Sequence, residues 1–128
     1  MFKLYILDFE IRLVGGSATE GRVEVYWNEV WGTVCNDGWD SIDAATVCQY
    51  LGITGSSEAV LDSSRFGQGA GDIWLDDVAC DGDESSLLGC AHSDWGIHDC
   101  GHTNDAAVRC GLPDTSGNTM NSNILGQC

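Results

Sequence analysis

Seven cysteines are the residues of this 128-residue chain with the most distinctive chemistry. None stands in a Cys-x-x-Cys pair, and Cys80, Cys90, Cys100 and Cys110 recur every ten residues. Because this spacing does not form a tetrahedral zinc site, disulfide bonds are the better interpretation. Disulfides indicate an oxidising, extracellular compartment, and cysteines tied in them cannot act as nucleophiles. A Gly-x-Ser-x-Gly motif is also absent, so we expect no enzymatic activity.

Carboxylates are the second chemically informative group. The chain has 20 acidic and only 5 basic side chains, which gives a net charge of -15. Such a surface repels nucleic acids and anionic membranes, because binding phosphate depends on Lys and Arg. Cations, or ligands bridged by cations, are therefore the natural partners. The alternative is that most of these charges only keep the protein in solution.

A strand, a turn and a helix position the first of these side chains. Alternating β-favouring residues predict a strand that ends at Cys35, and the polar turn 36–38 interrupts it. Asp40 or Ser41 can cap the following helix, which is expected to end near Leu51, with Gly52 in a left-handed conformation. The three-residue spacing of apolar side chains predicts an inward helix face made of Ile42, Ala45, Cys48 and Leu51.

The remaining pattern predicts a small, disulfide-stapled α+β domain at about residues 11–111. Further strands are expected at 11–14, 21–27, 73–80 and 106–110, with a hairpin tip at Asn28 and Glu29. Residues 52–72 are expected to form loops. Residues 1–10 are interpreted as a leader or an added edge strand, and 112–128 as a polar tail. No apolar run approaches about twenty residues, so we expect no direct membrane insertion.

Six segments carry a combined signature in their order along the chain: Ile11–Gly16, Gly21–Val25, Trp31–Trp39, Gly67–Gly69, Ile73–Val78 and Cys100–Cys110. Together they resemble the scavenger receptor cysteine-rich domain, in its subgroup with six cysteines. The resemblance implies an α+β fold in which a curved antiparallel sheet cradles one main helix. It also implies that family members bind ligands outside the cell and are not enzymes.

The cysteine pairing follows from the resemblance, since the residues alone leave it open. The implied disulfides are Cys35–Cys100, Cys48–Cys110 and Cys80–Cys90. Cys128 has no partner in this scheme. On an exposed tail, it could form a disulfide-linked dimer.

The resemblance further implies an acidic cluster that holds a divalent cation. Asn36, Asp37 and Asn104 stand where the family has carboxylates, so two of the three are amides here. Asp76 or Asp77 can supply the missing charge, although an alternating strand points only one of them at the site. We therefore expect weak Ca²⁺ binding by this set of oxygen ligands. The alternative is a solvated acidic rim without an ion.

The strand Gly21–Val25 resembles a segment implicated in bacterial binding by agglutinin-like members of the family. It predicts ligand contacts at Arg22, Glu24, Tyr26 and Trp27, with Val23 and Val25 facing inward and the two charged residues facing outward. The alternatives are an ordinary strand with a solvent-facing Arg and simple packing of the aromatic rings. The four arginines are scattered along the sequence, so charge alone is not expected to hold a polyanion.

Together, these expectations predict a secreted or cell-surface module of innate recognition that binds microbial or polyanionic ligands with the help of Ca²⁺. The alternative is an accessory domain that contacts a host protein within a larger secreted enzyme or receptor.

Overall fold

The computed structural model describes residues 9–113, which form six strands and one α-helix. The strands are β1 (Glu10–Val14), β2 (Glu20–Trp27), β3 (Val30–Val34), β4 (Ser56–Val60), β5 (Ile73–Leu75) and β6 (Ala107–Leu112), and the helix is α1 (Ser41–Tyr50). Short 3₁₀ turns cover Ser63–Phe66, Leu87–Gly89 and His102–Asn104. No helix in this part of the chain is both long and apolar enough to cross a membrane.

Strand β2 organises the sheet. It pairs antiparallel with β1, β3 and β6, and β4 pairs antiparallel with β6. At the edge of the sheet opposite β4, strand β5 pairs parallel with β3. Helix α1 packs against β4 and β6. The curled sheet around one main helix confirms the expected fold, with one parallel pair added to the antiparallel arrangement.

The hairpin between β2 and β3 turns where the sequence predicted. Asn28 and Glu29 have backbone φ angles of 52° and 67°, and they follow the terminal strand pair Trp27–Val30. Two residues with positive φ match the twist of the flanking strands. The hairpin thus brings Tyr26 opposite Trp31 on one face of the sheet.

Helix α1 begins with a complete capping box. The Asp40 carboxylate accepts the N–H groups of Ile42 and Asp43, and Asp43 accepts the N–H of Asp40 in return. Gly52, with a φ of 78°, follows the helix as expected. The predicted inward face was wrong at Ile42, which is 43% exposed, and at Ala45, which is also exposed. The buried face consists of Asp43, Ala44, Thr46, Val47 and Cys48.

The burial of Asp43 explains this rotation of the helix. Its second oxygen accepts the backbone N–H of Cys80 at 2.9 Å, which ties α1 to the Cys80–Cys90 loop. Burial raises the pKa of Asp43 to about 6, although the N–H groups of Cys80 and Asp40 stabilise its charged form. Hydrophobic spacing could not indicate that a carboxylate faces inward.

All three implied disulfides are present in the described residues. Cys35–Cys100, Cys48–Cys110 and Cys80–Cys90 have Cα–Cα distances of 6.2, 5.6 and 4.6 Å. These distances lie in the range that disulfides require. Cys128, which could form a disulfide-linked dimer, lies outside the described residues.

One expectation about the limits of structured segments was wrong. Residues 52–72 contain strand β4 and a 3₁₀ turn, not only loops, because Glu58 and Ala59 pair with Arg109 and Val108 of β6. At the beginning of the domain, Phe9 packs in the core and Glu10 starts β1. Strand β1 therefore begins one residue before the expected strand 11–14.

Candidate functional site

Carboxylates from three segments meet beside the Cys35–Cys100 disulfide. Asp37 lies in the turn after β3, and Asp76 directly follows β5. An oxygen of each lies within 4.8 Å of the other and of both cysteine sulfurs. The carboxyl group of Asp99, the neighbour of Cys100, lies close enough to that of Asp37 to raise its pKa. We call Asp37, Asp76 and Asp99 the acidic cluster.

The acidic cluster carries more negative charge than its surroundings balance. Partial desolvation, the nearby Asp99 carboxyl and repulsion from Asp76 all raise the pKa of Asp37. Burial raises the pKa of Asp76, which is 3% exposed, even though backbone groups of Asp77 and Asp99 stabilise its charge. None of the ion pairs formed by the described residues involves the cluster. A proton or a cation would therefore stabilise it.

Asp76 and Asp77, the two candidates for the missing charge, have different roles in the structure. The expected strand 73–80 ends at Leu75, and Asp77 adopts a left-handed backbone with a φ of 55°. Its N–H donates to Asp76 Oδ1 at 2.8 Å, and its carboxylate accepts the Ser93 hydroxyl at 3.2 Å. Asp76 thus faces the cluster, whereas Asp77 contributes its charge from farther away.

Asn36 and Asn104, the two predicted amide ligands, are joined through their backbones near the acidic cluster. The backbone N–H of Asn36 donates to the Asn104 carbonyl at 2.7 Å, which joins the two segments. The side-chain amide of Asn36 donates to the Leu61 carbonyl at 2.8 Å. In residues 9–113, no hydrogen bond connects the exposed Asn104 side chain to the acidic cluster. Of the five predicted ligands, Asp37 and Asp76 therefore lie together, and the Asn36 side chain is engaged with Leu61.

Sequence reasoning missed Asp99. A signal was available, because Asp99 adjoins Cys100 and Asp37 lies two residues after Cys35. Once these cysteines are paired, their neighbours must come together.

The predicted ligand contacts Arg22 and Glu24 do not face solvent. Each is 7% exposed, so the expectation that they point outward into water was wrong. Arg22 Nη2 and Nε donate to Glu24 Oε2 at 2.9 and 3.1 Å, and Arg22 Nη1 donates to the Phe66 and Gly67 carbonyls. The loop between β4 and β5 covers this sheet face, which alternation along one strand could not reveal.

Two further side chains fasten the same loop to the sheet. Asp105, fully buried, accepts the Gly69 N–H at 2.7 Å and lies 3.0 Å from Nδ1 of His102. His102 Nε2 lies 2.9 Å from the Gly71 carbonyl. Burial lowers the pKa of His102, but the Gly71 carbonyl and Asp105 outweigh it and raise the pKa above its usual value. Loop 66–71 is therefore held by charged side chains.

The four arginines of the chain are scattered in sequence but gathered in space. Their partners are Glu20 and Glu24 on β2 and Glu58 on β4, and Arg65 reaches Glu20 from the 3₁₀ turn Ser63–Phe66. The ion pairs are Arg12–Glu24, Arg22–Glu24, Arg65–Glu20, Arg109–Glu20 and Arg109–Glu58. We call these seven residues the arginine ladder. Within it the ion pairs form two groups: Glu24 joins Arg12 and Arg22, whereas Glu20 and Glu58 join Arg65 and Arg109.

The two aromatic candidates lie on opposite faces of β2. Tyr26 shares the face of the arginine ladder, where its ring lies 5.3 Å from that of Trp31, and Arg12 lies 4.1 Å above the Trp31 ring. Trp27 packs on the other face, stacked on Trp95 at 3.9 Å between ring centroids. Both are half-buried. Tyr26 is thus grouped with Arg22 and Glu24, whereas Trp27 is part of the aromatic packing.

Sequence comparisons place the chain among known proteins. Residues 13–111 match the family model described as the scavenger receptor cysteine-rich domain. A scavenger receptor cysteine-rich domain superfamily protein of Patiria pectinifera is 51% identical over 102 residues, which cover 79% of this chain and 9% of that protein. Macrophage receptor MARCO of Mesocricetus auratus is 46% identical over 101 residues, which cover 79% of this chain and 20% of that protein. The chain thus spans a fifth or less of these relatives.

Solved structures show the same similarity. The third SRCR domain of murine neurotrypsin shares 45% sequence identity with a TM-score of 0.76, covering 83% of this chain and 99% of that one. The dimeric form of the SRCR domain of mouse MARCO shares 45% sequence identity with a TM-score of 0.67, and the match covers 77% of this chain and 92% of that one.

Proposed function

The chain belongs to the scavenger receptor cysteine-rich family, and on that premise we propose that it is an extracellular ligand-binding module of innate recognition. We propose further that Ca²⁺ in the acidic cluster assists its binding of microbial or polyanionic ligands. The disulfide-stapled fold suits an oxidising compartment, and the similarity to a macrophage receptor supports a recognition role.

The acidic cluster is the observation that carries the proposal. The Asp37 and Asp76 carboxylates lie within 4.8 Å of each other with Asp99 nearby, their pKa values are raised, and no described residue gives the cluster a positive partner. Oxygen donors of this kind suit Ca²⁺, whereas Zn²⁺ prefers nitrogen or sulfur. Asp37, Asp76 and Asp99 would hold the ion, with the Cys35–Cys100 disulfide keeping their segments together.

The arginine ladder is the second contact surface in this proposal. Arg12 is half-exposed beside Tyr26 and Trp31, whereas Arg22 is held inside by Glu24 and loop 66–71. The segment after β4 connects the two surfaces, since the Leu61 carbonyl accepts the Asn36 side chain and Arg65 reaches Glu20. An anionic ligand would meet a nearly neutral face, and a bound cation would offset the repulsion from the rest of the domain.

Calcium binding is the direct test of the site. Isothermal calorimetry should detect Ca²⁺ binding to the full chain with a Kd on the order of 10⁻⁴–10⁻³ M, as in other extracellular modules. Asp37→Ala should abolish the heat of binding, because Asp37 contacts both other members of the cluster.

Asp81→Ala provides the matched control. Asp81 is also exposed and belongs to a different group of carboxylates, with Asp83 and Glu84. Both substitutions remove one negative charge, so a loss of binding in Asp37→Ala alone assigns the ion to the acidic cluster. Equal heats from wild type and Asp37→Ala would remove this site from consideration.

A further inference from the structure

Three apolar residues lie in hydrogen-bonded neighbouring segments near the tip of the β2–β3 hairpin. Val30 and Ile97 are 42% and 64% exposed, and Trp74 is half-buried. The indole Nε1 of Trp74 donates to the Val30 carbonyl at 3.0 Å, and the Trp74 carbonyl accepts the N–H of Gly96, the neighbour of Ile97. We call Val30, Trp74 and Ile97 the apolar patch.

The backbone packs closely against the indole of the apolar patch at two glycines. A Cβ atom added at Gly32 would lie 2.5 Å from Trp74 Cδ1, and one added at Gly96 would lie 3.5 Å from Trp74 Cζ3. The backbone therefore lies directly against the ring at both positions. A tryptophan that is already fixed loses little conformational entropy when a partner covers it, and such residues dominate binding energy at interfaces.

Exposed acidic residues adjoin the backbone of the apolar patch. Glu29 precedes Val30, and the Ile97 N–H donates to the carbonyl of Asp94. The backbone carbonyl of Asp72 lies against Gly32 on the same side as Trp74, and Asp99 follows Ile97 by two residues. All four are exposed, whereas every arginine of the chain is engaged in the arginine ladder. The apolar patch therefore has exposed acidic residues as its chain neighbours, and we call these four residues the acidic rim.

We infer that the apolar patch is a docking surface for a segment of a partner protein in which an apolar side chain is flanked by Lys or Arg. The apolar side chain would cover Trp74 between Val30 and Ile97, and the basic groups would face the rim. Single exposed apolar residues such as Ile42 need no partner, but here three belong to segments joined by hydrogen bonds. A polyanion would be repelled from this rim, so the surface is distinct from the arginine ladder.

Peptide titration tests the inference. The probe is a synthetic peptide with one Leu flanked by Lys residues, titrated into the full chain at physiological ionic strength with a chelator present. Ile97→Ser is expected to weaken binding about tenfold, the effect typical of an interface anchor. Ile42→Ser is the matched control, because it makes the same change at another exposed Ile and should leave the affinity unchanged. Val30→Ser, a second variant within the patch, should weaken binding like Ile97→Ser.

The peptide supplies the second control. Replacing its Leu by Ser should weaken binding to wild type as much as Ile97→Ser does, since either change removes the apolar contact. Equal affinities for the Ile97→Ser and Ile42→Ser variants would mean that charge alone attracts the peptide, which would overturn the inference. Absence of binding to the wild-type chain would overturn it as well.

Discussion

Reduction of the three disulfides is expected to unfold the domain. In the chain-entropy model, Cys35–Cys100 and Cys48–Cys110 contribute about 4 kcal/mol each and Cys80–Cys90 about 3 kcal/mol. Their combined contribution of about 11 kcal/mol is comparable to the whole free energy of unfolding of a typical domain, about 5–15 kcal/mol. Near-UV circular dichroism, which reports the packing of the five tryptophans, should lose its native signal after reduction and alkylation.

Alkylation without reductant is the control, because it modifies free thiols but leaves disulfides intact. The near-UV spectrum should then remain native. A native spectrum after complete reduction would show that the hydrophobic core alone stabilises the fold.

Arg22→Met is expected to destabilise the domain by about 3 kcal/mol, the low end for breaking a buried ion pair. The substitution leaves Glu24 buried with only Arg12 as partner, and it removes the donor to the Phe66 and Gly67 carbonyls. Chemical denaturation of the wild type and the variant measures the difference in the free energy of unfolding.

Arg109→Met is the matched control on the same arginine ladder. Arg109 pairs with Glu20 and Glu58 at the surface, where an ion pair contributes about 1 kcal/mol or less. The Arg22→Met substitution should therefore lower the free energy of unfolding several times more than Arg109→Met does. Equal losses of unfolding free energy in both variants would contradict a structural role for Arg22. They would instead favour the ligand contact that its sequence motif predicts.

The parts of the fold that local chemistry determines could be predicted from the sequence. The turn at Asn28 and Glu29, the cap at Asp40 and the position of Gly52 depend on neighbouring residues, and the structure confirms them. The disulfide pairing was also predicted correctly, but from the family resemblance and not from the residues alone.

The errors concern contacts between segments that are distant in sequence. Alternation in β2 assigned Arg22 to solvent, because a single strand gives no information about a loop 44 residues later that covers it. The inward position of Asp43 depends on the backbone of Cys80 in the same way. Asp99 joined the acidic cluster because a disulfide brought it there, so the cluster could be predicted only in part.

Binding of the full chain to immobilised dextran sulfate, compared in Ca²⁺ and in chelator, tests Ca²⁺-assisted recognition most directly. A domain with a net charge of -15 should bind this polyanion only when a cation reduces the repulsion. We predict binding by the wild type in Ca²⁺, loss of binding in chelator, and loss in Asp37→Ala even with Ca²⁺ present. Binding at full strength in chelator would contradict this account, because the arginine ladder would then suffice without the acidic cluster.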